Sequence, residues 1–219
     1  MNIVFDFLKY NTLYERCVMA SVAHAIMVGK YNLLSSEQSW DGFNYNFQNM
    51  EGIRGVISFA EGEYICAIQN NEECDESIEQ HVPEILSGAN AKIMNLAKEE
   101  VLQYMLVNYN GKSVPFITSA FWGSGDTNYS NQSEEQLIKS SEKTIMPFLY
   151  SEDDAKKYWK NYYEMTDEQI ELAEDIYQRR ISVSGRLNLS INEVNKLKEW
   201  FDDIDECIES FQELGIYLL

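Results

Sequence analysis

Residues 93–122 read IMNLAKEEVLQYMLVNYNGKSVPFITSAFW and join a helical pattern to the most β-prone run of the chain. Apolar residues recur at three- and four-residue spacing over residues 93–109, which predicts a helix with one apolar face. Asn110-Gly111 is expected to end this helix, with Gly111 as a left-handed cap. Residues 114–122 are rich in β-branched and aromatic side chains, which predicts a buried strand that Gly123 closes.

A β-hairpin is predicted at residues 55–69, because two apolar arms flank Glu61-Gly62-Glu63, which has the composition of a turn. The two strands of a hairpin are necessarily antiparallel, so the sheet is expected to be small and mostly antiparallel. A helix is predicted at residues 12–29, since Thr12 and Glu15 have the spacing of a capping box. Residues 126–131 lack aliphatic side chains and are expected to form a loop.

The C-terminal part, from residue 151, is predicted to be all-helical. Ser151, Thr166 and Ser190 each stand where a helix N-cap is expected, and the last helix is predicted to run from Ser190 to a terminating Gly215. The fold class is therefore α+β, with an α+β core domain at residues 1–150 and a helical segment at residues 151–219 docked on it.

The composition is that of a globular chain with a strong excess of acid. The 219 residues are 45% hydrophobic, and 36 acidic residues against 17 basic ones give a formal net charge of −19. This charge argues against direct binding to nucleic acid or to an anionic membrane, both of which attract basic surfaces. It is compatible either with simple solubility or with a basic protein partner that is attracted electrostatically.

Location and redox state are predicted from the N-terminus and the cysteines. The first residues lack a basic region and a cleavage site, so no signal peptide is expected and the protein is predicted to be cytoplasmic. Four cysteines occur without a C-x-x-C pair and are expected to be reduced, mostly buried thiols.

Two groups of residues are candidates for partner binding. Residues 35–50 alternate aromatic and polar side chains in part, which favours either a segment pinned to the core, with a possible edge strand, or an exposed aromatic contact surface. Between Arg54 and Lys92 the chain has no basic residue, and the last predicted helix has an acidic outer face. The candidate partner-binding residues are Trp40, Phe43, Tyr45, Glu61, Glu63, Glu72, Glu73, Asp75, Glu76, Asp202, Asp203 and Glu206, with Trp122 as a further aromatic anchor.

Motifs for common enzyme chemistry are missing from the sequence. It contains no phosphate-binding glycine loop, no G-x-S-x-G and no zinc-ligand spacing, so no cofactor, metal or catalytic residue is assigned. Gly123-Ser124-Gly125-Asp126 has the composition of an ordinary turn. His24 is expected to be a structural histidine, but an enzyme with its site at the end of the 114–122 strand would use Asp126, His24 and Asp41.

These features favour a non-enzymatic acidic protein that neutralises a protein partner with a basic surface. Small acidic α+β proteins without catalytic motifs are often antitoxins, immunity proteins or viral inhibitors of bacterial defence, and the expectation of an inhibitor is made by that analogy. The alternatives are the enzyme described above and a subunit that self-assembles through its C-terminal helices. The sequence leaves open which partner is bound, which acidic patch is used and the oligomeric state.

Overall fold

The chain divides into two compact units. The computed structural model describes residues 2–73, 78–124, 126–141, 144 and 151–218. The first unit, called the sheet unit, comprises Met1–Leu13 and Asp41–Met146, and the second, called the helical unit, comprises Tyr14–Trp40 and Pro147–Leu219. The helical unit thus includes a segment near the N-terminus, whereas the sequence suggested a division at residue 150.

One antiparallel sheet dominates the sheet unit. Within the described residues, seven strands form it in the order β1-β9-β8-β5-β4-β3-β2, and all of β2 except its last residue falls in the range of the helical unit. These strands are β1 Asn2–Ile3, β2 Gln38–Asp41, β3 Asn44–Gln48, β4 Ile53–Ala60, β5 Glu63–Asn70, β8 Ser119–Ser124 and β9 Thr127–Ser130, and a separate hairpin consists of β6 Leu106–Tyr109 and β7 Lys112–Pro115. The α+β class is confirmed, although the sheet is larger than the small one expected.

The predicted hairpin is confirmed as β4 and β5. Ala60 pairs with Glu63, so the turn consists of Glu61 and Gly62 alone. Both residues have positive φ, 40° and 84° respectively, which is the geometry of a tight turn whose twist matches that of the strands.

The helix predicted at residues 93–109 is shorter than expected. Helix α3, Ala91–Leu96, continues into one π-type turn at Ala97–Val101, and Leu106 then begins β6. Asn110 and Gly111 have φ of 51° and 77° and connect β6 to β7. The prediction of a helix C-cap at Gly111 was therefore wrong, because Asn-Gly forms the two-residue turn of a hairpin.

The strand predicted at residues 114–122 is two strands of different sheets. β7 ends at Pro115, and β8 begins at Ser119 between β5 and β9. Gly123 does not close the strand but lies within β8, opposite Tyr64 of β5. The loop expected at residues 126–131 is largely β9, which pairs with β8 and β1.

The buried side chains of strand β9 are polar, and hydrogen bonds to other elements hold them in place. Asn128 accepts from the Tyr64 hydroxyl at 2.7 Å and donates to the carbonyl of Phe5 at 2.8 Å. Ser130 donates to the carbonyl of Ala120 at 2.7 Å. These hydrogen bonds satisfy polar side chains that are almost completely buried. The segment can therefore form a strand although its composition is typical of a loop.

The two faces of the sheet have different cores. Val56, Ile65 and Trp122 lie on the face covered by α3 and the π-type turn, where they pack against Ile93 and Val101. An aromatic cluster lies on the opposite face. Its members are Phe5, Tyr10, Phe59, Tyr64 and Phe121. Alternate residues of each strand thus face alternate cores, as the two-residue period of a strand requires.

The helices of both units have the following bounds. Helix α1, Tyr10–Met27, begins two residues before the predicted Thr12 cap and crosses from the sheet unit into the helical unit. The sheet unit also contains α2 Ile78–Ile85 and α4 Glu134–Ser141; the helical unit contains α5 Glu152–Tyr162, α6 Asp167–Ser182, α7 Ile191–Trp200 and α8 Asp205–Glu213. The predicted caps at Ser151, Thr166 and Ser190 are confirmed by their side-chain hydrogen bonds to backbone N–H groups.

The C-terminal part is not all-helical, and its last helix is interrupted. Strands β10 Leu187–Leu189 and β11 Ile216–Leu218 form a short parallel pair. Phe201 has extended backbone angles and ends α7, so the apolar stripe predicted for one long helix is divided between α7 and α8. The Asp203 carboxylate accepts the backbone N–H of Asp205 at 2.9 Å, which supports the start of α8.

Candidate protein-binding surface

Three tight turns lie side by side at one end of the seven-stranded sheet. Asn44 pairs with Ser58, so the β2–β3 turn lies beside the end of β4 and its turn to β5. Glu63 in turn pairs with Ser124, which brings the β8–β9 turn to the same end. We refer to the side chains at this end of the sheet, together with Glu100 of the π-type turn, which Asn44 contacts, as the sheet-end surface. They are Asp41, Phe43, Glu61, Glu63, Glu100 and Asp126.

Phe43 is the aromatic residue of this surface. It occupies the β2–β3 turn after Gly42, which has a φ of 60°, and its carbonyl accepts the N–H of Phe59 at 3.1 Å. The backbone is therefore held by β4, while the side chain remains 76% exposed. An exposed phenylalanine on a fixed turn loses little conformational freedom on binding, which favours it as a contact for a partner.

A polar network holds two acids beside Phe43. The Tyr104 hydroxyl donates to the Asp41 carboxylate at 2.6 Å, and Asn44 Nδ2 donates to Glu100 Oε2 at 3.0 Å. The hydrogen bond to Asp41, together with partial burial, raises the pKa of Tyr104, so its hydroxyl remains a donor. The two carboxylates are thus kept in defined positions.

Further acids line the other two turns. Glu61 is exposed in the β4–β5 turn, and the Glu63 carboxylate accepts from the Ser124 hydroxyl at 3.1 Å. Asp126 in the β8–β9 turn forms an ion pair with Lys9 at 3.4 Å, with both side chains more than half exposed. An ion pair so exposed contributes less than about 1 kcal/mol, so Asp126 can exchange this partner for another cation at little cost.

The other candidate aromatic residues are less accessible than expected. Tyr45 and Trp122 are buried, at 0% and 2% exposure, and the expectation that they form exposed anchors is corrected. Trp40 belongs to the helical unit and is half-buried. Its indole N–H donates to the Ser21 hydroxyl at 2.8 Å and its ring packs edge-on against Tyr14, so it has a packing role there.

The acidic window predicted along the sequence does not form one continuous surface. Glu61 and Glu63 lie at the turn end of β5, whereas Glu72 follows the other end of that strand. Eight residues of β5 separate them by roughly 24 Å, since a strand rises about 3.4 Å per residue. Glu73 ends the short 3-10 helix after β5, and the candidates Asp75 and Glu76 lie outside the described residues.

The three candidate acids of the C-terminal part lie in the helical unit. Asp202 and Asp203 are exposed in the link between α7 and α8, and Glu206 is partly exposed in the first turn of α8. The expectation that all three share one helical face is corrected, because the helix is interrupted at Phe201.

The residues named for an enzymatic site have separate environments. Asp41 ends β2 and Asp126 follows β8, four strand positions away, which separates them by roughly 19 Å at about 4.8 Å per strand. The sequence Gly123-Ser124 is strand, and Gly125 lies outside the described residues. These two carboxylates are therefore too far apart to act as a general acid–base pair.

His24 is buried in the helical unit with both ring nitrogens occupied. Nε2 lies 3.4 Å from the carbonyl of Ser35 and Nδ1 lies 3.0 Å from the Tyr163 hydroxyl. The adjoining cavity has a volume of about 10 Å³, which is room for about one water molecule. Burial lowers the pKa of His24 to about 4, so the ring is neutral at physiological pH.

The cysteine prediction is confirmed for the described residues. Cys17, Cys66 and Cys207 are buried thiols, while Cys74 lies outside the described residues. Burial raises the pKa of the Cys207 thiol to about 12, as expected of an unreactive structural cysteine.

No protein-family model, no curated protein and no solved structure matches this chain. Across the described ranges, no group of three or more His, Cys, Asp or Glu side chains is arranged to hold a metal ion. In the same part of the chain, no helix has the length and apolar character that crossing a membrane requires.

The sequence missed Tyr104 and Asn44, which organise the sheet-end surface. Each forms a hydrogen bond to a residue about sixty positions away in the sequence, so no local sequence pattern indicates these contacts. The exposed position of Phe43 also depends on where β3 begins, which its alternating pattern does not specify.

Proposed function

We propose that this chain is a non-enzymatic acidic protein that binds and neutralises a protein partner with a basic surface, as antitoxins, immunity proteins and inhibitors of defence systems do. The observation that supports it is the exposed Phe43 at the end of the sheet where the hydrogen-bonded carboxylates of Asp41 and Glu100 also lie. Protein–protein interfaces commonly have an aromatic hot-spot residue and a polar rim, and Phe43 and these acids match that arrangement.

The charge of the chain favours a basic partner over an acidic one. A formal net charge of −19 repels acidic proteins and attracts basic ones over several ångströms before contact. The acids of the sheet-end surface would then orient the partner, since complementary charges mainly raise the association rate. Direct binding to nucleic acid is disfavoured for the same reason.

Phe43 would supply short-range affinity after this encounter. Burying an exposed phenylalanine contributes about 1.5–3 kcal/mol, and well-packed aromatic contacts are frequent among residues that dominate binding. Because the β2–β3 turn is hydrogen-bonded to β4, little of this energy is lost in ordering the backbone.

The test is affinity capture from extracts of the native host with tagged wild-type protein and the Phe43→Ala variant. Wild-type protein should retain one basic protein in stoichiometric amount at low salt and less of it at high salt. Phe43→Ala should retain it at least about tenfold more weakly, because the loss of such a contact costs about 2 kcal/mol.

Ile191→Ala is the matched control, since Ile191 is 69% exposed but lies in the helical unit. This variant should capture the partner as well as wild-type protein does. Equal capture by Phe43→Ala, or the capture of no stoichiometric protein, would contradict the proposal.

A further inference from the structure

A second feature of the sheet unit is a cleft at the opposite end of the sheet. It lies between the β3–β4 turn, the end of β5 and the β6–β7 hairpin, and has a volume of about 350 Å³. This size is within the range of sites for small molecules. The polar side chains that line it are Gln48, Asn49, Arg54, Gln69, Asn71 and Asn108.

Arg54 is the positive charge of this cleft. Its Nε donates to Gln69 Oε1 and its Nη2 to the carbonyl of Leu106, both at 2.8 Å. A guanidinium has five N–H donors, so three remain without a partner in the described part of the chain. No carboxylate there lies within ion-pair distance of Arg54.

Burial acts on the Arg54 guanidinium without an opposing charge nearby among the described residues. Partial burial lowers the pKa of Arg54, and no neighbouring carboxylate offsets the effect. The guanidinium is therefore partly desolvated while retaining unused donors, which is a state that an entering anion would stabilise.

The lining of the cleft is already organised. Gln69 accepts from Arg54 and donates to Asn71 Oδ1 at 2.9 Å. Asn49 Oδ1 accepts the backbone N–H groups of Glu51 and Ile53, each at 3.0 Å, which shapes the β3–β4 turn. A ligand would thus meet fixed amide groups and would not have to order them.

We propose that this cleft binds a small ligand that carries an oxyanion, either a carboxylate or a phosphate group, with Arg54 as the anchor. The planar fork of arginine matches two oxygens of such a group, and the surrounding amides offer further donors. Because the net charge of −19 repels anions at long range, binding depends on these short contacts.

The test uses the full chain labelled with ¹⁵N and titrated separately with sodium acetate and sodium phosphate at constant ionic strength. We expect saturable shifts of backbone amides around Arg54, Gln69 and Asn108, with a dissociation constant in the millimolar range for at least one probe. The probe with the lower dissociation constant tells whether a carboxylate or a phosphate is preferred.

Two variants separate binding from a structural role of Arg54. Arg54→Lys retains the charge but loses the fork and should weaken binding by about fivefold or more. Val107 also lines the cleft, so Val107→Trp adds bulk there without a substitution at Arg54 and should abolish binding. Arg186→Lys is the control, because Arg186 is exposed in the helical unit, and it should bind as wild-type protein does.

The proposal is overturned if neither probe produces saturable shifts at the cleft. It is also overturned if Val107→Trp binds with wild-type affinity, or if Arg54→Lys and Arg186→Lys have equal effects. Thermal unfolding of each variant without a probe identifies any that fails to fold, and Val107→Trp tests the site without any change at Arg54.

Discussion

Among individual residues, His24 illustrates how burial determines protonation. The Ser35 carbonyl can only accept, so His24 Nε2 must carry the proton of the neutral ring and Nδ1 must accept from the Tyr163 hydroxyl. Burial also raises the pKa of Tyr163, which keeps this hydroxyl a donor. The groups that face this pair are Gln38, which donates to Tyr163, and the acid Glu37 with Tyr158 and Tyr162.

This arrangement predicts that acid destabilises the protein through His24. Its pKa is lowered from 6.5 to about 4 in the folded state, so the unfolded state binds more protons between these values and stability falls as the pH is lowered through this window. The loss amounts to at most about 3 kcal/mol for His24. Burial raises the pKa of Glu37, which gives an opposite slope, so the histidine contribution must be isolated by a variant.

The measurement is the free energy of unfolding in urea at pH 6.5 and pH 4.5 for wild-type protein and His24→Gln. Wild-type protein should lose more stability than His24→Gln over this interval, because glutamine does not titrate. Equal losses would mean that His24 is not buried in its neutral form.

Phe43 marks the limit of sequence-based prediction for a single residue. Phe43, Tyr45 and Phe47 alternate with polar residues and would share one face of a strand. Tyr45 and Phe47 are indeed buried, but β3 begins at Asn44, so Phe43 lies in the turn and is exposed. The alternating pattern predicts a strand. It does not predict that Phe43 is exposed, because this depends on β3 beginning one residue later, at Asn44.

Among the secondary-structure elements, β8 requires a glycine in its interior. A Cβ at Gly123 would overlap the Tyr64 ring, whose hydroxyl donates to Asn128 at 2.7 Å. Gly123→Ala should therefore lower the free energy of unfolding by about 1–3 kcal/mol, as overpacking of a core generally does.

Gly185→Ala provides the comparison for this prediction. A Cβ at Gly185 meets no atom within 4 Å and its φ is not positive, so this variant should be as stable as wild-type protein or slightly more so. Chemical denaturation of both variants measures the difference. Equal stability of Gly123→Ala and Gly185→Ala would mean that the Tyr64 ring does not pack closely against Gly123.

Elements with local signals were predictable from the sequence, and those formed by distant contacts were not. The β4–β5 turn and the caps at Thr166 and Ser190 depend on residues within four positions of one another. Strand β9 exists because its buried polar side chains bond to distant elements. The Asn110-Gly111 signal was local but ambiguous, since the same dipeptide suits a helix end and a hairpin.

For the whole molecule, the negative charge was predictable but its distribution was not. The formal charge of −19 follows from composition, whereas the acids of one sequence window lie at opposite ends of β5. Only the sheet order brings Glu61, Glu63 and Asp126 to the end where Phe43 is exposed. The proposed inhibitor function thus depends on a surface that no single segment of the sequence contains.

Charge reversal tests whether this surface guides a basic partner. The double variant Glu61→Lys and Asp126→Lys changes the sheet-end surface, and Asp202→Lys with Glu209→Lys changes exposed acids of the helical unit by the same net charge. If partner binding uses the sheet-end surface, the two double variants should differ. If only the total charge matters, they should behave alike.

The decisive measurement is the association rate constant of each variant with the captured partner, by stopped flow at about 50 and 500 mM salt. We predict that the sheet-end variant associates at least about tenfold more slowly than wild-type protein at low salt and depends less on salt, while the helical-unit variant differs little from wild-type protein. Equal rates and equal salt dependence for the two variants would contradict the assignment of partner binding to the sheet-end surface.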